Sequence, residues 1–441
     1  MSMKEAVAIA VDSNPEIGEA VANRAAIEFE LEQGRGLYRP RLDLEGSIGG
    51  EIRDSETSRA NGDQDHLFLR KEASVVVRQL LFDGFGTDAE IERQASRVDG
   101  AALRVRERSE FIALAVIREY LEMIRTRRII AIARENIGYH QKILGDISQG
   151  TGGGTISIAD RQQAQERIYA ARSRMAEFEE EYKASEAAFI RLVGRPPGSL
   201  SSAINVRPLI PRSLNDAIDQ AHANHPSIQF AQADIDAAAA LVKAARSKYY
   251  PNVSLEGRAS AAEDISGIRG FDGDLQGNVV VRWNLYNGGI DAANEQEQIR
   301  HVDEEYQKLH RITREVEEGV QLSWDRHMHQ TQRLRELLRE MSAIEQLRGS
   351  YFEQFRIGER SLLDLLDTQN TRFSVQVAIA TADAAVKFSY FRILAATGKL
   401  LRTLGIAAPV EARTYARVDA DVPETPLPES FNRVEPRRPV E

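Results

Sequence analysis

Residues 1–405 repeat themselves, and this repeat restricts the fold more than any single motif does. An offset of 211 places Ala6 on Ala217, Ala10 on Ala221, Pro15 on Pro226, Ile17 on Ile228, Tyr38 on Tyr249 and Pro40 on Pro251. The same offset lays Leu44-Glu45-Gly46 over Leu255-Glu256-Gly257. Further on, an offset of 204 pairs Val75-Val76-Val77 with Val279-Val280-Val281, Gly84 with Gly288, Gly154 with Gly358, Ser157 with Ser361, Asp160 with Asp364, Gln165 with Gln369 and Gly194 with Gly398. One loop shorter by seven residues accounts for the step. Shared alanine content explains the Ala pairs but not the Pro, Tyr, Gly and Asp pairs, so the chain is read as a duplication.

Each repeat reads as helices, two strands, then two long helices. The first spans 1–200, with a β-hairpin over 40–83 and a helical hairpin over 87–194. The second spans 201–405, with a β-hairpin over 251–287 and a helical hairpin over 291–398. Asn14-Pro15 and His225-Pro226 break the opening helix of each repeat, and Pro40 and Pro251 suit strand starts because Pro donates no ladder hydrogen bond.

The strands carry the sharpest signal. Leu42, Leu44, Gly46, Ile48, Gly50 and Ile52 alternate with Asp43, Glu45, Ser47, Gly49 and Glu51. From Phe271 to Leu285 the alternation is broken only by Val280, and Val253 to Ala259 gives a third strand. Leu67 to Phe82 is less clean, because Lys71 and Gln79 fall on its apolar side. A half-buried soluble sheet packed on helices is one reading of this pattern. Long strands with small outward residues, aromatic ends at Phe82, Trp283 and Tyr286 and a polar second face favour a membrane barrel. Four strands cannot close a barrel, since the smallest transmembrane ones use about eight, and open edges do not sit in lipid. Several chains must therefore share one.

After each second strand comes a Pro-free helical stretch, about Asp88 to Ser148 and Asp291 to Arg356. Sixty residues at 1.5 Å each span roughly 90 Å, about twice a bilayer. Ile112, Val116, Tyr120, Met123 and Ile130, and likewise Ile344, Leu347, Tyr351 and Phe355, recur at helical spacing, so these helices pack laterally. Each turns in a Gly-containing loop, at Gln149 to Thr155 or Ile357 to Arg360, and returns. No run nears the roughly 18 apolar residues of a membrane helix. The absence of cysteine excludes disulfides and thiolate metal sites, and a formal charge of −10 argues against nucleic acid as a partner.

On these residues the chain resembles the TolC family of outer-membrane efflux and type I secretion channels. The resemblance runs over nearly the whole chain. Its pieces are Asn14-Pro15-Glu16 and His225-Pro226-Ser227, Tyr38-Arg39-Pro40 and Tyr250-Pro251-Asn252, Leu81-Phe82-Asp83-Gly84 and Leu285-Tyr286-Asn287-Gly288, and above all Gly358 to Gln369. The fold class it implies is an α+β membrane protein, internally duplicated, with a long α-helical barrel and a transmembrane β-barrel of four strands per chain and twelve in a homotrimer. It further implies a passive conduit, not an enzyme, with no cofactor. Its partners would be outer-membrane lipid, a periplasmic adaptor (membrane-fusion) protein and an inner-membrane RND or ABC transporter. The implied address is the outer membrane of a Gram-negative bacterium, with the helices in the periplasm. Met1 to Ala10 lacks the basic start and apolar core of an export signal, so a mature chain is expected.

Carried over by motif, the resemblance places a periplasmic gate at the helical-hairpin turns. Asp364 and Asp367 would line the pore as carboxylate rings, and Arg360 would pair with Asp160 of the other hairpin. Phe355 stands where the family can offer a tyrosine hydroxyl. The tips, with Gly154, Ser157, Gly358 and Ser361, would dock the adaptor.

Four other readings compete. Gly84-Phe85-Gly86 follows a strand and opens a helix, as the dinucleotide fingerprint of an NAD-binding enzyme does, but the strand is not a buried parallel one and no second strand follows about twenty residues later. Gly150 to Gly154 lacks the Lys-Ser/Thr ending of a phosphate loop, and His222 with His225, or His327 with His329, lacks supporting acidic or Cys ligands for a metal. A soluble coiled-coil scaffold explains the helices but not the strands. The Pro-rich, charged stretch 406–441 is expected to be a disordered tail.

Overall fold

The structure, a computed structural model, describes residues 1–151, 158–357 and 359–426, with the side chains of all of these except 147–151. The elements run α1 (Met3–Ser13), α2 (Pro15–Gly36), β1 (Arg41–Glu51), α3 (Glu56–Ala60), β2 (Phe68–Phe82), α4 (Gly86–Thr151), α5 (Ile158–Val193), α6 (Leu214–Asn224), α7 (Pro226–Arg246), β3 (Asn252–Glu263), β4 (Phe271–Arg282), α8 (Ile290–Arg356), α9 (Leu362–Ala396), α10 (Leu400–Leu404) and α11 (Ala416–Asp419). The short α3 inside the first strand connection was not expected, and β4 ends at Arg282, before Trp283 and Leu285.

The duplication is visible in local chemistry. At the first break Asn14 is buried, and its Oδ1 accepts the Glu16 N–H at 2.9 Å while its Nδ2 donates to the Leu192 carbonyl. At the second break His225 takes the same role, its Nδ1 accepting the Ser227 N–H at 3.3 Å. Each polar side chain satisfies an orphan amide at the start of the helix that follows. His225 is therefore a cap. Gly398, which ends α9, has φ +67°, and a Cβ there would lie 2.6 Å from the Asn224 carbonyl oxygen, so only glycine fits.

The compact packing units differ from the sequence repeats. The chain forms two compact units, each drawn from both halves: one holds Met1–Ala22, Leu103–Gln229 and Arg311–Arg413, the other Asn23–Ala102, Phe230–His310 and the segment from Thr414 onward. The reason is plain in the sheet, where β2 of the first repeat pairs with β3 of the second.

The core of the first unit gathers Met3 and Val7 of α1, Ile112, Val116, Tyr120 and Met123 of α4, Phe189 of α5, Phe391 of α9 and Leu401 of α10. Tyr120 is fully buried. Its hydroxyl lies 3.0 Å from the Met1 and Ser201 carbonyls and accepts the Ser201 N–H at 2.9 Å, so this buried polar atom is satisfied.

In the second unit the four strands form one antiparallel sheet in the order β1-β2-β3-β4. Register sets Leu44, Val75, Ala259 and Leu275 in one row and Leu42, Val77, Gly257 and Gly277 in the next. Among the described residues this face is largely uncovered: Leu44 is 79% exposed, Ile48 72% and Leu275 84%. The polar side chains that β2 places on it are partnered. Lys71 donates to Glu263 of the adjacent strand at 2.9 Å, and Gln79 donates to the Tyr38 and Leu80 carbonyls. The opposite face carries charges paired across strands. Glu256 accepts from Arg78 of β2 at 3.1 Å and Arg282 of β4 at 3.2 Å, and Glu72 accepts from Arg258 of β3 at 3.0 Å. No described helix is long and apolar enough to cross a membrane.

The expected disordered tail is corrected for residues 406–426. A turn of 3-10 helix (Val410–Ala412) and α11 are formed, and Arg417 pairs with Asp99 and Asp236, residues far upstream that composition alone does not reveal as partners. Residues 427–441 lie outside the described part.

Candidate functional site

The gate residues named from the sequence belong to the first unit, around the start of α9 where α4, α5, α8 and α9 pack. Ser361 is the N-cap of α9. Its Oγ accepts the Asp364 N–H at 3.3 Å, and Asp364 Oδ2 accepts from the Ser361 N–H at 3.2 Å and hydroxyl at 2.7 Å. This capping box, with a carboxylate at the positive end of a long helix, fixes where α9 begins. The Ser361 bonds, and then the nearby Arg360 charge, hold Asp364 below the usual carboxylate range, so it is a permanent anion at neutral pH.

Asp367 sits one turn further on and is exposed. It accepts from Arg167 of α5 at 3.2 Å. Arg167 was not foreseen from the sequence. Below it, Gln369 is buried and donates to Asn136 of α4 at 2.8 Å, and Arg372 reaches Glu345 of α8 at 2.6 Å and Glu135 of α4 at 3.4 Å. Arg167 and Arg372 thus tie α9 to three neighbouring helices by charge-assisted bonds.

Arg360 is held within its own hairpin. Its guanidinium lies 4.4 Å from the Tyr351 ring centroid, its Nε donates to Gln354 Oε1 at 3.0 Å, and it stands 3.9 Å from Asp364. Its neighbours are Tyr351, Gln354 and Asp364 rather than the expected Asp160. Asp160 lies in the first turn of α5, where a carboxylate complements the helix dipole. Phe355 is half-buried against Ile143, Ala164, Leu362, Leu365 and Leu366, an apolar cluster under the tip, which accounts for a ring without a hydroxyl. His140, also buried, has a lowered pKa through desolvation and then the Arg167 charge, and is neutral at pH 7. Of the docking residues, Ser361 is the exposed cap of α9, while Gly154, Ser157 and Gly358 lie outside the described residues.

The other candidate sites dissolve into structure. Gly84 has φ +71°, and a Cβ there would meet the Ser247 carbonyl oxygen at 2.6 Å. The N-terminus of α4 is occupied by Asp83, which accepts from the Gly86 N–H at 3.0 Å and the Thr87 N–H at 2.8 Å, so no phosphate is cradled there. His327 bonds Ser389 at 2.9 Å and His222 bonds Glu317 at 2.8 Å; no group of three metal-binding side chains occurs among the described residues.

A sheet with a bare apolar face and two open edges, in a chain whose helices α4 and α8 run to 66 and 67 residues, fits an outer-membrane channel. Solved structures share its fold: CusC, described through its transmembrane channel formation, at TM-score 0.77 and 16% identity over 92% of both chains; the outer-membrane protein VceC of Vibrio cholerae, at 0.74 and 14% over 92% of this chain and 96% of that one; and the Campylobacter jejuni outer-membrane channel CmeC, at 0.77 and 13% over 90% and 86%. The outer membrane efflux protein BepC of Brucella suis is 23% identical over 390 residues, 86% of this chain and 82% of BepC. Residues 7–195 and 217–399 match the family described as outer membrane efflux protein, and the chain belongs to that family. It is a TolC-type channel protein and not an enzyme.

Proposed function

We propose that the chain is the outer-membrane exit duct of a tripartite efflux pump or a type I secretion system in a Gram-negative bacterium. Three copies pool their sheets into one twelve-stranded barrel in the outer membrane, and their helices line a conduit through the periplasm. The observation that carries this reading is the sheet itself: one face is apolar and unpacked, the other is polar, and β1 and β4 each have an unpaired edge. Unpaired backbone in lipid costs several kcal/mol per group, so the edges demand further strands.

The periplasmic end is the gate. Asp364 and Asp367 present carboxylates to the pore, Arg360 braces the turn through Tyr351, Gln354 and Asp364, and cation selectivity follows from clustered negative charge. The tips, including Gly154, Ser157, Gly358 and Ser361, dock a periplasmic adaptor protein, through which an inner-membrane RND or ABC transporter supplies the energy. The efflux role named in BepC, the outer membrane efflux protein of Brucella suis, supports the pump reading.

Electron microscopy of detergent-extracted particles tests this directly. A long tube with three-fold symmetry is expected. A stable, water-soluble monomer overturns the proposal.

A further inference from the structure

Asp99 of α4 and Asp236 of α7 are buried aspartates, each 2% exposed, in the interior of the second unit. Both are neutralised from a stretch of chain that follows the duplicated part. Arg417 Nε lies 3.1 Å from Asp99 Oδ2, and another guanidinium nitrogen lies 2.6 Å from Asp236 Oδ2. Backbone amides complete the shell: Asp99 accepts from Tyr415 and Ala416 at 2.9 Å each, and Asp236 accepts from Thr425 at 3.0 Å. The same stretch bonds two further helices. The Tyr415 hydroxyl donates to Glu28 of α2, and the Tyr306 hydroxyl of α8 donates to the Pro426 carbonyl at 2.8 Å.

We propose that residues 414–426 are a folding clasp: this stretch beyond the duplicated part supplies the countercharge for two buried carboxylates, one from each repeat, and ties α2, α4, α7 and α8 together. A buried carboxylate without its cation is strongly unfavourable, whereas a charge-free replacement is tolerated. The helices of this unit are therefore unstable until the C-terminal stretch has docked. The inference concerns the single chain and is independent of the channel reading.

Hydrogen exchange on the full-length, detergent-extracted protein tests it. Arg417→Met is expected to speed amide exchange around Asp99 and Asp236 on the order of 100-fold. The triple variant Arg417→Met, Asp99→Asn, Asp236→Asn is expected to return most of that protection, because the buried charges are gone. Where Arg417→Met does not yield folded protein, recovery of folded protein in the triple variant is the same positive result. Wild-type exchange in Arg417→Met overturns the clasp, as does a triple variant no better protected than the single one, since the effect is then packing and not charge.

Discussion

Arg167 of α5 and Asp367 of α9 meet at 3.2 Å, so one of the two carboxylates assigned to the gate already has a cation within its own chain. Under the proposed gate, pore charge at this end is set by Asp364 and Asp367 together with the cations beside them, Arg360 and Arg167, and not by the two aspartates alone. Replacing Arg167 with Met is expected to raise the permeability ratio of K⁺ over Cl⁻ in planar bilayers, and Asp367→Ala to lower it. Equal selectivity in both variants would remove the pair from the pore.

Asp364 caps α9 and, in the proposed gate, supplies pore charge, and a single substitution separates the two. Asp364→Ala loses both the charge and the capping box, at a cost of about 1 kcal/mol for the cap, whereas Asp364→Asn keeps an acceptor for the Ser361 donors. Cation block is expected to weaken in both variants, with thermal stability falling only in the first. Because Asp364 is held below the usual carboxylate range, its contribution is present above the ordinary pKa and lost only as pH falls through the lowered value. Wild-type cation preference is thus expected to persist at pH 5.

Glu110 gives the opposite pH dependence. Burial pushes it up to about 7, although the Leu401 N–H and Arg106 favour its charged form. A carboxyl raised in the folded state stabilises fully below its ordinary pKa of 4.5, and that contribution is lost as pH rises through 7. The loss is on the order of 3 kcal/mol. Glu110→Gln is expected to flatten the difference in thermal unfolding between pH 5 and pH 8. An unchanged difference would place the titration elsewhere.

The two faces of the sheet predict opposite tolerance. Leu44→Arg puts a cation on the apolar face and is expected to cost about 2–4 kcal/mol near the bilayer midplane and to reduce insertion, measured as protein recovered from outer membranes. Glu45→Arg, one residue on and on the charged face, is expected to insert normally. Similar recovery of both would deny the lipid contact.

What was legible in the sequence, and what was not, follows from the range of each interaction. The strands showed because alternation has a period of two and needs no partner. The long helices showed because nothing in them breaks a helix. Asn14 and His225 marked their kinks because the motif is local. Arg167 did not show, since its meaning depends on which faces of α5 and α9 touch. The C-terminal stretch was misjudged for the same reason: its prolines suggest disorder, but Arg417 finds Asp99 and Asp236 at separations of 318 and 181 residues. Phe355 was located by motif, and only its packing against Leu365 and Leu366 explains the missing hydroxyl.

The sheet begins with β1 and ends with β4, and every neighbouring pair in between is antiparallel. With an even number of alternating strands, the two outermost ones run in opposite directions, so any number of identical copies set side by side joins in the same antiparallel sense. The ribbon is consequently indifferent to how many subunits complete the ring. Stoichiometry has to be dictated by the curvature at which the helices pack, and substitutions that change the assembly number belong there.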